Sequence, residues 1–144
     1  MIYIIFNEDY NTMKKEKIYL EYDLNSKSER ILWSLISTAE GLQKWIADDV
    51  DDQGDIMEFT WGELHREHET RVANILKRVK NKLIRLQWED DADTDFYWQM
   101  EIEKSDLTGY YTMKVTDHAL PEDLDTLRDI WDNNLEQLHR TSGV

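Results

Sequence analysis

The run Asp49-Val-Asp51-Asp-Gln53-Gly54-Asp55 has the spacing with which a calcium loop begins, with oxygen ligands at positions one, three and five and glycine at six. The imitation ends at position twelve, where Thr60 stands in place of the bidentate glutamate, and Gln53 is a poor fifth ligand. The segment reads as a solvated acidic turn. In His65-Arg-Glu-His68, two imidazoles sit three residues apart. On a helix they would share a face, but on a strand they would point to opposite faces. Neither the His-Glu-x-x-His zinc motif nor its inverse is present, so both read as surface histidines and no metal is expected. A carboxyl that works as an acid or base needs apolar surroundings that raise its pKa. Glu58, Glu101 and Glu103 alternate with inward residues and so point outward, and no carboxyl reads as isolated on an inward face. There is no nucleophile elbow, no glycine-rich phosphate loop and no basic aromatic stripe for nucleic acid. These absences argue against an enzyme and against a bound cofactor.

The remaining chemistry is apolar. Trp45, Phe59, Trp61, Trp88, Phe96, Trp98, Met100, Met113, Leu127 and Trp131 fall at inward positions of the predicted elements. Aromatic and methionine walls suit an adaptable apolar site. The same residues also fill a core well, because tryptophan and methionine are large and close gaps. Both readings stand at this level.

The elements that must hold these residues follow from periodicity. In residues 17–24, Ile18, Leu20, Tyr22 and Leu24 alternate with Tyr19, Glu21 and Asp23, the pattern of a half-buried strand. A helix over residues 26–36 follows, with Ser26 and Glu29 at capping-box spacing and Ile31, Leu32, Leu35 and Ile36 as its apolar stripe. Ser37 and Glu40 repeat the capping-box spacing and start a second short helix carrying Leu42, Trp45 and Ile46. Residues 48–55 form an acidic connection that turns at Gly54, and residues 56–61 have strand composition, with a turn at Trp61-Gly62. Residues 63–78 are highly polar and fit either period, and a strand over residues 69–77 is preferred because strands flank it. Further strands carry Ile84, Leu86 and Trp88; then Phe96, Trp98, Met100 and Ile102; then Tyr111, Met113 and Val115. An acidic hairpin loop at residues 89–95 and a turn at residues 106–109 separate them. Pro121, Glu122 and Asp123 open a C-terminal helix, Leu124, Leu127, Trp131, Leu135 and Leu138 form its apolar face, and Gly143 stops it.

A chain of 144 residues with sixteen aromatics, six of them tryptophan, has enough apolar surface for one domain with a real core. No segment approaches the length of a membrane span. The net charge of -14 opposes binding to nucleic acid and to anionic membrane surfaces. It serves solubility first, and the sharper reading is an acidic face for a basic protein partner. With no cysteine, disulfides and thiolate chemistry are excluded, and a cytoplasmic location is the expectation. Residues 1–12 read as an N-terminal extension ahead of Met13-Lys14-Lys15, or as an arm in which Ile2, Ile4 and Phe6 alternate like an edge strand. Residues 13–144 read as the single domain.

Ser37-Thr-Ala-Glu-Gly-Leu42 with Trp45, followed by Trp61-Gly62, Leu86-Gln-Trp-Glu89, and Trp131 with Leu135 and Leu138, resembles the START-like (SRPBCC) superfamily over residues 16–140. Within it the chain is most similar to the domain related to activators of the heat-shock-protein-90 ATPase and to small bacterial START-like proteins of unknown function. The resemblance implies an α+β helix-grip fold. In it a strand, two helices and a curved antiparallel sheet of five or six strands wrap a long C-terminal helix. It also implies a cavity between helix and sheet of the kind that holds lipids, sterols or polyketides. The expectation is a noncatalytic domain that binds a small apolar, lipid-like ligand there, at Trp45, Phe59, Trp61, Trp88, Trp98, Met100, Met113, Leu127 and Trp131. The alternative is an acidic protein-interaction module with a filled core.

Overall fold

The computed structural model describes residues 14–63 and 65–144. The expectations for residues 1–12, including the alternation of Ile2, Ile4 and Phe6, lie outside the described residues. The order of elements is β1 (Glu16–Asp23), α1 (Glu29–Ser37), α2 (Ala39–Leu42), β2 (Asp49–Asp52), β3 (Ile56–Gly62), β4 (His68–Val79), β5 (Leu83–Trp88), β6 (Trp98–Lys104), β7 (Tyr111–Ala119) and α3 (Leu124–Ser142). Single 3-10 turns lie at Glu89–Asp91 and Pro121–Asp123. The strands form one seven-stranded antiparallel sheet in the order β1-β7-β6-β5-β4-β3-β2. This is the helix-grip architecture.

Three local expectations are corrected. The helix cap of α1 is Ser28, whose hydroxyl accepts from the Ile31 N–H at 3.3 Å, while Ser26 Oγ accepts from the Ser28 N–H in the turn before it. For α2 the cap is Thr38, which accepts from the Gly41 N–H at 2.9 Å, and not Ser37. Neighbouring serines and threonines offer several equivalent caps, and the choice among them depends on where the backbone leaves the helical region. The acidic connection holds a short strand, β2, paired with β3 from Asp49–Thr60 to Asp52–Met57. Val50 on it is buried while its three aspartates are exposed. Charge on so short an edge strand discourages pairing with another chain.

The alternation of β1, β6 and β7 sets the concave face. Ile18, Trp98, Met100, Ile102, Tyr111, Met113 and Val115 are buried there, and α3 adds Trp131, Leu135 and Leu138. Helix α1 covers β5 and β6, while α3 lies over β1 and β7. Polar ties fix α3 in place: the Tyr22 hydroxyl donates to Asp132 Oδ1 at 2.8 Å, and the Asn25 N–H donates to the Val144 carbonyl at 2.6 Å. No helix among the described residues is long and apolar enough to cross a membrane.

Candidate functional site

Between the first two turns of α3 and the open end of the sheet lies a cleft of about 410 Å³. Its walls are Trp61 from β3, Trp88 from β5, Trp98 from β6, and Leu127, Ile130 and Trp131 from α3. A second hollow of about 230 Å³ shares Arg71, Trp88, Trp98, Asp117 and Leu127 with it and extends toward Phe96 and His118. The two form one groove along the helix.

The aromatic wall is continuous. Trp88 stacks on Trp98 with centroids 5.0 Å apart, Trp61 meets Trp88 at 6.1 Å, and Trp131 meets Trp98 at 6.2 Å. Strand register brings them together, since Leu86–Trp98 and Ala73–Trp88 are cross-strand pairs and Trp61 faces Glu69. Same-face neighbours across antiparallel strands are close enough for large rings to touch. The Trp61 indole N–H donates to the Ile46 carbonyl at 2.9 Å, which locks that ring. Trp98 Nε1 is buried and has no hydrogen-bond partner.

Of the residues expected at the site, Trp61, Trp88, Trp98, Leu127 and Trp131 line this cleft. Trp45 lies behind Trp131 at 6.2 Å and donates its indole N–H to the Leu35 carbonyl. Phe59, Met100 and Met113 are fully buried in the core and do not line the cleft. Phe96 borders only the second hollow.

The expectation that no carboxyl faces inward is corrected by Asp117. It follows Val115 on the same face of β7, opposite the buried Ile18 of β1. Trp131 Nε1–H donates to its Oδ2 at 2.9 Å, and the His118 N–H donates to its Oδ1 at 2.7 Å. Removal from water pushes its pKa up to about 6, against the opposing pull of those two donors. The His118 ring packs on Tyr97, with centroids 4.9 Å apart. Its Nδ1 lies 2.8 Å from the Tyr97 carbonyl, and burial lowers its pKa. Arg71, paired with Phe59 in register, enters the cleft with its guanidinium 4.0 Å from the Trp88 centroid and 3.7 Å from Asp90.

The other candidates are dispersed. Asp49 and Asp51 sit on a paired edge strand and do not curl round an ion, while Asp52 and Asp51 accept from the Gly54 N–H and Gln53 Nε2. His65 and His68 are exposed, and His68 Nδ1 lies 3.0 Å from the Arg66 carbonyl. No group of three or more metal-ligating side chains occurs among the described residues.

A model of the START-like superfamily domain matches residues 12–144. The chain belongs to the START-like superfamily. No curated protein matches it. Among solved structures, this START-like chain is similar to the protein BfR322 of Bacteroides fragilis, at 40% identity over 90% of this chain and 92% of that one, with a TM-score of 0.62. The Aha1 dimer of Colwellia psychrerythraea is 14% identical over 89% and 98%, with a TM-score of 0.66. An AHSA1-like protein of Aeromonas hydrophila is 9% identical over 87% and 93%, with a TM-score of 0.65. The last two share the fold.

Proposed function

We propose that this START-like domain is a noncatalytic binding protein that holds a small, largely apolar molecule in the cleft between α3 and the sheet. The observation that carries the reading is the wall itself: four tryptophans with Leu127 and Ile130 around about 410 Å³ of open space, while the core beneath is filled. Such a volume lies in the range of small-molecule sites, which are mostly apolar with a few placed polar groups. Asp117 has the raised pKa of an acid or base, but both of its oxygens already accept bonds from within the chain, and no nucleophile is paired with it. Its role in this reading is to anchor α3 and to polarise one side of the site.

The test is titration with Nile red, a neutral apolar dye, followed by its fluorescence. Leu127 is partly exposed, so Leu127→Trp fills the cleft from the helix side and leaves the core alone. The expected result is saturable binding that falls at least about tenfold in the variant, in line with loss of a few buried methylene-sized contacts. Equal binding by the two proteins would remove the cleft as the site.

A second reading, an acidic module that recognises a basic protein, draws on the exposed Asp49, Asp51 and Asp52 of β2. Its mark would be binding that weakens steeply with salt, since exposed charges are screened.

A further inference from the structure

The cleft carries a sign of charge as well as an apolar wall. Three charged side chains line it: Glu69, Arg71 and Asp117. Arg71 is offset by Asp90 at 3.7 Å. At the far end of the groove Lys15 is likewise taken up by Asp91 at 3.0 Å. Glu69 and Asp117 have no ion-pair partner among the described residues. The two positive groups each have a carboxylate partner, whereas Glu69 is exposed without one and Asp117, whose oxygens accept only from the neutral Trp131 and His118 N–H groups, keeps its charge beside the cleft.

Aromatic faces next to uncompensated carboxylates are a setting for positive charge. The negative face of an indole ring attracts a cation within about 6 Å of its centroid, tryptophan most strongly, and the attraction grows where water is excluded. The chain already uses this wall in that way, since the Arg71 guanidinium lies 4.0 Å from the Trp88 centroid. An anionic ligand would meet Glu69 and Asp117 at close range, in a protein whose net charge is -14.

We propose that the cleft selects organic cations: molecules with an alkylammonium head held in the negative field that Asp117 on β7 and Glu69 on β4 set up from opposite sides of the cleft, and an apolar body laid against Trp61, Trp88, Trp98 and Trp131. This rests on the cleft being a binding site, and it assigns the class of ligand that site takes.

Three probes with one apolar body separate the two claims: 3-phenylpropyltrimethylammonium, 3-phenylpropanol and 3-phenylpropanoate. Binding is read by calorimetry and by the indole N–H signals of the cleft tryptophans in NMR spectra. The cation is expected to bind about tenfold more tightly than the alcohol, within the range of cation–aromatic and carboxylate contributions, and the anion most weakly. In Asp117→Asn the preference for the cation over the alcohol should fall to about parity. If that variant does not fold, the exposed Glu69→Gln should cut the cation's affinity severalfold and spare the alcohol. Alcohol binding equal to cation binding overturns the charge selectivity and leaves the cleft as an apolar site. Tighter binding of the anion overturns it too and makes Arg71 the ligand group. If no probe shifts the indole signals, the cleft reading and the charge reading fall together.

Discussion

Trp131 Nε1 donates a hydrogen bond of 2.9 Å to Asp117 Oδ2, tying the middle of α3 to the last turn of the concave face on β7. The bond holds α3 against β7 beside the groove, where the apolar packing of the core gives way to a polar contact. The cost is a carboxylate drawn partly out of water, visible as a pKa of about 6.

That cost has a sign in the pH dependence of stability. The folded-state pKa of Asp117 is raised above its value of 3.8, so between these two values the folded chain holds a proton that the unfolded chain has lost. Stability from this group therefore falls as pH rises from about 4 to about 6, and stays lower above that. Asp117→Asn cannot titrate. The stability of wild type relative to this variant should be greater at pH 4 than at pH 7 by about 1–3 kcal/mol, the range set by a shift of this size at a partly solvated site. Urea denaturation of both proteins at the two pH values measures it, and the other carboxylates cancel in the comparison. No change in the difference would mean that Asp117 is not held away from water.

Gly41 shows a different constraint, one of space. It begins the last turn of α2 where that helix crosses α1, and a methyl group built on it would lie 2.0 Å from the Ser34 carbonyl oxygen and 2.6 Å from Leu35 Cα. Both are backbone atoms of α1, so neither can swing aside. Gly41→Ala should therefore destabilise the protein by more than about 3 kcal/mol, at the upper end for single substitutions, because α2 must lift from α1. Chemical denaturation checks this, and a loss below about 1 kcal/mol would show that the helix pair is loosely joined.

The same contact marks how far residues 37–45 can be read as sequence. The two short helices are legible from capping-box spacing and an apolar stripe, which are local patterns, but the cap at Thr38 and the close crossing at Gly41 are set by the packing of one helix on the other and have no local signature. The faces of β6 and β7 were legible from local pattern as well, since alternation alone puts Met100, Met113 and Val115 inward. Asp117 was one step further along that alternation. The polar run Thr116-Asp117-His118 has the composition of a strand end, whereas β7 continues to Ala119. Arg71 was hidden differently. It lies in a charge-dense segment where every face looks polar, and only its register with Phe59 turns it toward the tryptophans. Pairing between distant segments sets that register, and period carries no record of it.

Alternation also gives the face of a residue without its depth along the strand, and this separates the methionines from the tryptophans. Met100 and Trp88 both point to the concave side, but Met100 is fully buried while Trp88 is partly exposed at the mouth of the cleft. Met100→Ala should leave a cavity and cost about 2–5 kcal/mol, with Nile red affinity unchanged as long as the protein is folded. Trp88→Ala should cost less, about 1–2 kcal/mol at a partly solvated position, and yet lower Nile red affinity at least about tenfold through the lost ring area. Denaturation curves and dye titrations on the two variants give four numbers, and the crossing of stability against affinity is the result that matters. If Met100→Ala weakened the dye as much as Trp88→Ala, the bound molecule would reach into the core beneath the helix, and the site would be the deep cavity of the fold and not the cleft at its end.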